Sequence, residues 1–141
     1  MAPRILFLCT KNAIRSPMAE ALAKDLLTKG DIRALSVDSA GVDPGDVDGF
    51  AIATMAEIGI DLQPHASKDI CEFTSSDFDL IIALSATALN TARRQFASET
   101  QIEAWDIADP SLSEGNRDQR LAAYRSTRDQ LTAKICQRFA L

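Results

Sequence analysis

A cysteine and an arginine separated by five residues near the start of the chain form the pattern best suited to chemistry. Cys9 follows the short apolar run from Ile5 to Leu8, which predicts a buried strand. Arg15 is followed at once by Ser16 and Pro17. Ser-Pro is typical of a helix start, because serine can cap the helix and proline suits its first residue. The segment from Cys9 to Arg15 is therefore predicted to be a tight loop that leads from a strand into a helix.

Such a loop has the right chemistry for an oxyanion. Its backbone N–H groups can point at an anion, and the dipole of the following helix adds positive potential. A cysteine held there is expected to lose its proton readily and to react as a thiolate. Arg15 offers a planar pair of donors for two oxygens of a tetrahedral anion. The competing interpretation is a cysteine buried only for packing, but the strand, the spacing and the helix start together favour a phosphate-binding loop.

The run Cys-x5-Arg-Ser-Pro-Met-Ala-Glu after an N-terminal strand resembles the low-molecular-weight protein tyrosine phosphatase family. That superfamily also contains the thiol-dependent arsenate reductases, and the resemblance extends over nearly the whole chain. It implies a phosphocysteine intermediate on Cys9 and an oxyanion held by the loop. The residues implied to bind the oxyanion are Thr10, Lys11, Asn12, Ala13, Ile14, Arg15 and Ser16.

The resemblance also implies a hydrogen-bond network that shapes the loop and favours the thiolate. Its members would be Asn12, Ser16, Ser39 and His65. Asparagine tolerates left-handed backbone geometry, which is useful in the middle of a tight loop. His65 is the only histidine in the chain, and we expect it to support the loop rather than to transfer protons.

The third catalytic residue is expected to be a carboxylic acid that protonates the leaving oxygen and later activates water. Asp109 is the candidate, because it follows the last predicted strand and precedes Pro110 in a turn. The resemblance supports this choice, since the family's general acid is an Asp-Pro aspartate. Asp106 lies nearby but lacks the proline, and it is the weaker alternative.

Composition limits the class of protein. With 141 residues the chain is long enough for one domain with one core, so residues 1–141 are predicted to form a single domain. A net charge of −5 argues against nucleic acid as a partner. No apolar run is long enough for a membrane span, and the N-terminus does not look like a signal peptide. The odd number of cysteines, three in all, suggests free thiols in a reducing cytoplasm. No metal or cofactor is expected.

Strands and helices alternate along the sequence, which predicts a parallel sheet with helices on both faces. The predicted strands are Ile5–Leu8, Leu35–Val37, Phe78–Leu84 and Gln101–Ile107. The predicted helices are Met18–Leu27, one from about Asp46 or Asp48 to Gly59, Ala86–Phe96 after a Ser85 cap, and one from about Asn116 or Asp118 to Arg138. Cys9, Ser39 and Asp109 would each follow a strand, and therefore meet at one edge of the sheet. The strand order 2-1-3-4 is implied by the resemblance.

Several positions depart from the phosphatase pattern. Ile14 stands where many members have a second cysteine that protects the nucleophile as a disulfide, and Ser111-Leu112 stand where a Tyr-Tyr pair is common. Between Ser39 and Phe50 there is no aromatic residue to form a substrate wall, and Trp105 and Tyr124 are expected to pack in the core. Tyrosine specificity is therefore not implied, and the substrate is a phosphorylated protein or a small phosphomonoester. Phosphate, sulfate, vanadate and arsenate are all expected to bind.

Two further functions stay open. The segment from Trp105 to Asp129 resembles the arsenate reductase branch, whose thioredoxin-coupled members place two cysteines after the third strand. This chain has Leu84-Ser85 there, and Cys71 and Cys136 lie elsewhere. An arsenate reductase of this kind would need an external thiol. The other alternative is a non-catalytic module that binds an oxyanion or a phosphoprotein.

Overall fold

A computed structural model of the protein describes residues 3–30 and 35–141, and a four-stranded parallel sheet lies at its centre. The strands are β1 (Arg4–Cys9), β2 (Ser36–Gly41), β3 (Leu80–Ala83) and β4 (Gln101–Ala104). Their order across the sheet is β2-β1-β3-β4. The predicted sheet and its 2-1-3-4 order are therefore confirmed.

Four α-helices connect and cover the strands. They are α1 (Arg15–Lys29), α2 (Gly49–Ala56), α3 (Ala86–Gln95) and α4 (Arg117–Phe139). Three are capped by side chains at their N-termini: Asp48 caps α2, Ser85 caps α3 and Asn116 caps α4. No helix among the described residues is both long and apolar enough to cross a membrane.

The core lies in two layers, one on each face of the sheet. Alternate residues of β1 point to opposite faces, so Ile5, Phe7 and Cys9 pack on the side of α1 and α4, and Leu6 and Leu8 pack on the side of α3. The central strands are buried on both faces, as their continuous apolar sequences predict. Cys9 therefore belongs to the α1 and α4 side of the molecule.

The helix start at Ser16 differs from the prediction. Helix α1 begins at Arg15, its N-cap position is Ile14, and Ser16 and Pro17 are the second and third helical residues. The Ser16 hydroxyl does not cap the helix, because it is directed at Cys9 and the backbone of Ala40 instead. Pro17 is tolerated there because the first N–H groups of a helix have no partner within it.

The second strand also differs from the prediction of Leu35–Val37. It continues to Gly41 in register with β1, so that Ser39 lies inside the strand, and Cys9 is likewise the last residue of β1. Because this strand contains polar residues, the apolar pattern of the sequence did not indicate that it continues beyond Val37. The small residue at its end is required, because a Cβ on Gly41 would lie 2.7 Å from the backbone nitrogen of Asn12.

Candidate active site

The loop from Cys9 to Arg15 is held by its carbonyl groups. The carbonyls of Cys9, Thr10, Lys11 and Ala13 accept hydrogen bonds of 2.8–3.2 Å from backbone N–H groups of residues 42–48. The carbonyl of Asn12 accepts from the Ser67 hydroxyl at 2.9 Å. Asn12 itself adopts a positive φ of 52°, which turns the chain in mid-loop as predicted. The segment after β2 thus binds the outer side of the loop.

The inner side of the loop lines a cavity of about 210 Å³. Its walls include Cys9, Thr10, Lys11, Ala13, Ile14, Arg15, Asp109 and Ser111. Within the described part of the chain, the backbone N–H groups of Lys11, Ala13 and Ile14 have no hydrogen-bond acceptor. Unpaired N–H groups in the loop that leads into α1 are suited to the oxygens of a tetrahedral anion.

Arg15 is fixed on one side and open on the other. Its Nη1 donates to the carbonyls of Leu84 and Ile107 at 3.2 and 3.0 Å, which ties it to the segments that follow β3 and β4. Its side chain is 12% exposed, and Nη2 lies 3.9 Å from Asp109 Oδ2. These bonds hold the guanidinium in place, while Nη2 and Nε are left for two oxygens of an anion.

The sulfur of Cys9 receives two polar contacts. The backbone N–H of Asn12 donates to it at 3.3 Å, and the Ser16 hydroxyl lies 2.8 Å away. Both groups can donate a hydrogen bond to a negatively charged sulfur. Cys71 and Cys136 are free cysteines, and neither lines the cavity.

Asn12 lies at the centre of the network behind the loop. Its Nδ2 donates to Ser16 Oγ at 2.8 Å and to Ser39 Oγ at 3.0 Å. Its Oδ1 accepts from the backbone N–H of Lys68 at 2.9 Å and lies 3.1 Å from His65 Nε2. The structure thus brings together Asn12, Ser16, Ser39 and His65, the four residues that the resemblance named for this network. The side chains of Asn12 and Ser16 are fully buried behind the loop, so they do not line the cavity.

His65 is directed at the loop as a donor. An asparagine Oδ1 can only accept, so Nε2 must carry a hydrogen. Partial burial lowers the pKa of His65, because it disfavours the charged imidazolium, and this outweighs the opposing effect of Glu20. A neutral His65 therefore supports Asn12.

Glu20 extends this network, although a glutamate one helical turn before Lys24 is typical of a solvated surface pair. It is only 8% exposed, and its Oε1 accepts from Ser39 Oγ at 2.5 Å. Lys24 Nζ lies 2.6 Å from Oε2, and Lys68 Nζ lies 3.7 Å from Oε1. Burial works to raise the pKa of Glu20, but the bonds from Lys24 and Ser39 and the charge of Lys68 together lower it below its usual value. One feature of the sequence could have indicated this role: Glu20 is one helical turn after Ser16, so both lie on the same face of α1.

Of the two candidate acids, only Asp109 lines the loop cavity. Its Oδ1 accepts from the backbone and hydroxyl of Ser111 at 2.9 and 2.7 Å. Asp106 is exposed and lines only a neighbouring cavity of about 590 Å³, to which Asp109 also contributes. Geometry therefore favours Asp109 as the residue that faces the sulfur and the guanidinium.

The two aromatic residues considered for a substrate wall, Tyr124 and Trp105, are buried in the structure. Tyr124 is fully buried and Trp105 is 8% exposed, and both belong to the core on the α1 and α4 side. Neither lines the loop cavity, which supports the expectation that they serve packing.

Comparison with known proteins gives a consistent result. Residues 4–140 match the family model described as low molecular weight phosphotyrosine protein phosphatase. A glutaredoxin arsenate reductase from Synechocystis is 30% identical over 132 residues, which is 94% of this chain and 92% of that protein. A solved structure described as an arsenate reductase in the phosphate binding state has 30% identity and a TM-score of 0.78, and covers 99% of this chain and 98% of its own.

The fold also matches a phosphatase. The low molecular weight protein tyrosine phosphatase from T. tengcongensis superposes with a TM-score of 0.85 over 99% of both chains, at 24% identity. The family match over residues 4–140 confirms the resemblance that the loop motif indicated. The chain belongs to the low molecular weight phosphotyrosine protein phosphatase family.

Proposed function

We propose that this protein hydrolyses phosphate monoesters through a phosphocysteine intermediate on Cys9. The observation that supports this most directly is the placement of a carboxylic acid, Asp109, in the same cavity as Cys9 and Arg15. In this position a carboxylic acid can protonate the ester oxygen that leaves when Cys9 attacks phosphorus. The proposal includes a cytoplasmic location, in keeping with the three free cysteines.

The first step transfers the phosphoryl group. The Cys9 thiolate attacks phosphorus in line with the ester oxygen, so an S–P bond forms as the P–O bond breaks. Protonated Asp109 donates its proton to the leaving oxygen. Arg15 and the N–H groups of the loop bind the three equatorial oxygens as charge spreads over them.

The second step releases phosphate. The Asp109 carboxylate accepts a proton from water, the oxygen of that water attacks phosphorus, and the S–P bond breaks to restore the thiolate. Ser16 and the Asn12 N–H stabilise the negative sulfur in both steps. The reaction consumes one water and releases one alcohol or phenol and one phosphate.

Arsenate reduction with an external thiol is the second candidate, and the similarity to the Synechocystis glutaredoxin arsenate reductase favours it. Arsenate would form an S–As bond to Cys9 with loss of water. A low-molecular-weight thiolate would then attack the Cys9 sulfur, giving arsenite and a mixed disulfide as As(V) gains two electrons. A second thiol would reduce that disulfide. No second cysteine lines the cavity within the described chain, so both thiols must come from outside.

One comparison separates these functions. Purified protein is assayed with an aryl phosphate, and separately with arsenate, glutathione, glutaredoxin and a coupled reductase. We expect aryl phosphate turnover that is lost in Cys9→Ser, while this variant still binds vanadate. Arsenite formation at a much higher kcat/KM than phosphate release would assign the reductase function instead. An aryl phosphatase activity that survives in Cys9→Ser would show that Cys9 is not the nucleophile.

A further inference from the structure

The arginines of α4 have different partners along the helix. Three of the five bind carboxylates within 3 Å: Arg125 and Arg128 bind Glu57, and Arg138 binds Glu103. The other two, Arg117 and Arg120, lie in the first turn and a half. Among residues 3–30 and 35–141, their guanidinium groups have no carboxylate partner and no hydrogen-bond acceptor. One end of the helix therefore presents two unpaired cations.

These two cations are held in place by one aromatic ring. The guanidinium carbons of Arg120 and Arg117 lie 4.7 and 5.7 Å from the ring centroid of Phe50. The Phe50 ring also packs against the buried Tyr124 ring, with centroids 5.4 Å apart. A guanidinium stacked on a fixed ring keeps its N–H edge available and has lost part of its rotamer freedom before a ligand arrives. The pair is therefore preorganised for an anion.

The pair lies at the rim of the candidate active site. Helix α4 starts at the carboxyl edge of the sheet, and the 3-10 turn Pro110–Leu112 that packs against it directly follows Asp109. Phe50 is in the first turn of α2, which is capped by Asp48, and the N–H of Asp48 donates to the carbonyl of Ala13 at 2.9 Å. The elements that support the arginines are thus joined to the phosphate loop and to the acid.

We propose that Arg117 and Arg120 form a docking surface for an acidic segment of a phosphorylated protein, next to its phosphorylated residue. The inference rests on the proposed phosphatase function and adds the class of substrate. A guanidinium edge matches a carboxylate in geometry and charge. Because the whole chain has a net charge of −5, it repels acidic peptides except where such cations are exposed.

The residues around Arg117 and Arg120 also favour a protein as the binding partner. Leu112, whose side chain is 78% exposed, lies in the turn between Asp109 and α4 and offers an apolar contact. Glu114 and Asp118 are also exposed near the start of α4, so no broad basic field exists there. A short acidic segment that reaches two fixed guanidiniums fits this surface better than a nucleic acid, which requires a more extended positive region.

The test uses two phosphotyrosyl peptides that differ only in whether the flanking residues are Asp and Glu or Asn and Gln. In the wild-type protein we expect kcat/KM to favour the acidic peptide by about threefold to thirtyfold at low salt, as two exposed charge pairs would give. The double variant Arg117→Gln/Arg120→Gln should lose this preference, and Arg117→Lys/Arg120→Lys should keep only part of it. The preference should also fall as salt is added.

A matched control is available on the other face of the sheet. Arg93 and Arg94 are exposed near the C-terminal end of α3, so Arg93→Gln/Arg94→Gln removes the same charge away from the site. This control should keep the peptide preference. Turnover of a small aryl phosphate should be the same in all these variants, which also shows that they are folded.

A peptide-binding measurement tests this inference independently of the proposed catalytic function. Anisotropy of the same peptides, labelled, is measured with Cys9→Ser and with Cys9→Ser that also carries the arginine substitutions. Tighter binding of the acidic peptide that depends on both arginines would support the docking surface even if the wild-type protein hydrolysed no phosphate ester. Equal affinity for both peptides, or a preference that survives loss of both arginines, would overturn it. Tighter arginine-dependent binding of a single-stranded oligonucleotide than of the acidic peptide would also overturn it.

Discussion

Glu20 Oε1 accepts the hydroxyl proton of Ser39 at 2.5 Å. Because the proton of Ser39 is used there, its oxygen is left to accept from Asn12 Nδ2 at 3.0 Å. The same amide donates to Ser16 at 2.8 Å, so the proton of Ser16 is left for Cys9 Sγ at 2.8 Å or for the carbonyl of Ala40 at 3.3 Å. An ionised Glu20 therefore orients the donors of Ser39 and Asn12 in a chain that ends at Ser16, beside the proposed nucleophile.

We predict that Glu20→Gln slows alkylation of Cys9 by iodoacetamide about threefold to tenfold at pH 6. The amide can donate as well as accept, so Ser39 and Asn12 lose their fixed orientation and the thiolate loses part of its support. Alkylation is followed by mass spectrometry of the Cys9 peptide. Asp25→Asn is the control, because Asp25 forms an ion pair of 2.8 Å with Lys29 on the same helix. Equal rates in the wild type and Glu20→Gln would show that the network does not depend on this charge.

The position of Glu20 shows where sequence reasoning reached its limit. The loop residues and the sheet were predictable, because alternating strands and helices and the Cys-x5-Arg spacing are local patterns. The burial of Glu20 was not, because it depends on β2 continuing through Asp38 and Ser39 to meet the first turns of α1. A buried strand that contains polar residues lacks the alternation of apolar and polar residues from which a strand is predicted. The cap assigned to Ser16 was wrong for a related reason, since its partner is Cys9, seven residues earlier.

We predict that the protein loses stability as the pH falls from about 7.5 to 5.5, because of His65. The pKa of His65 is lowered below its usual value of 6.5 by burial. In this range the unfolded chain binds more protons than the folded one, so the stabilisation is complete above the unfolded pKa and declines below it. Thermal unfolding at several pH values measures the slope.

His65→Gln is the matched variant for that experiment. Its amide can still donate to Asn12 Oδ1, but it does not titrate. Since His65 is the only histidine, most of the slope between these pH values should disappear. A slope of the same size in His65→Gln would assign the pH dependence to another group.

We predict that mild peroxide inactivates the protein by oxidising Cys9 before Cys71, although Cys71 is the exposed thiol. Hydrogen bonding and charge from Asp69 raise the pKa of Cys71, so less of it is thiolate at neutral pH. Ile14 leaves no neighbouring cysteine to trap the oxidised sulfur, so sulfinic and sulfonic products should accumulate on Cys9. Peptide mass spectrometry before and after treatment with a thiol measures reversibility. A dominant disulfide from Cys9 to Cys71 or Cys136 would contradict this prediction and favour the reductase function.

We predict that Asp109→Asn lowers turnover of poor leaving groups far more than turnover of activated ones. An alkyl or unsubstituted phenyl phosphate needs a proton on its leaving oxygen, so its kcat should fall by about a hundredfold to ten-thousandfold. A nitrophenolate departs as an anion nearly unaided, so its kcat should fall much less. Inhibition by inorganic phosphate should change little, because Arg15 and the loop N–H groups provide the binding.

Asp106→Asn is the control for this last prediction, because that carboxylate has the same chemistry but does not line the loop cavity. It should leave both classes of substrate unaffected, whereas Asp109→Asn should also remove one limb of the pH–rate profile. Equal losses on good and poor leaving groups in Asp109→Asn would mean that Asp109 only shapes the turn through its bonds to Ser111. If the selective loss appeared in Asp106→Asn instead, the acid would have to reach the ester from the larger neighbouring cavity, which Arg15 also lines.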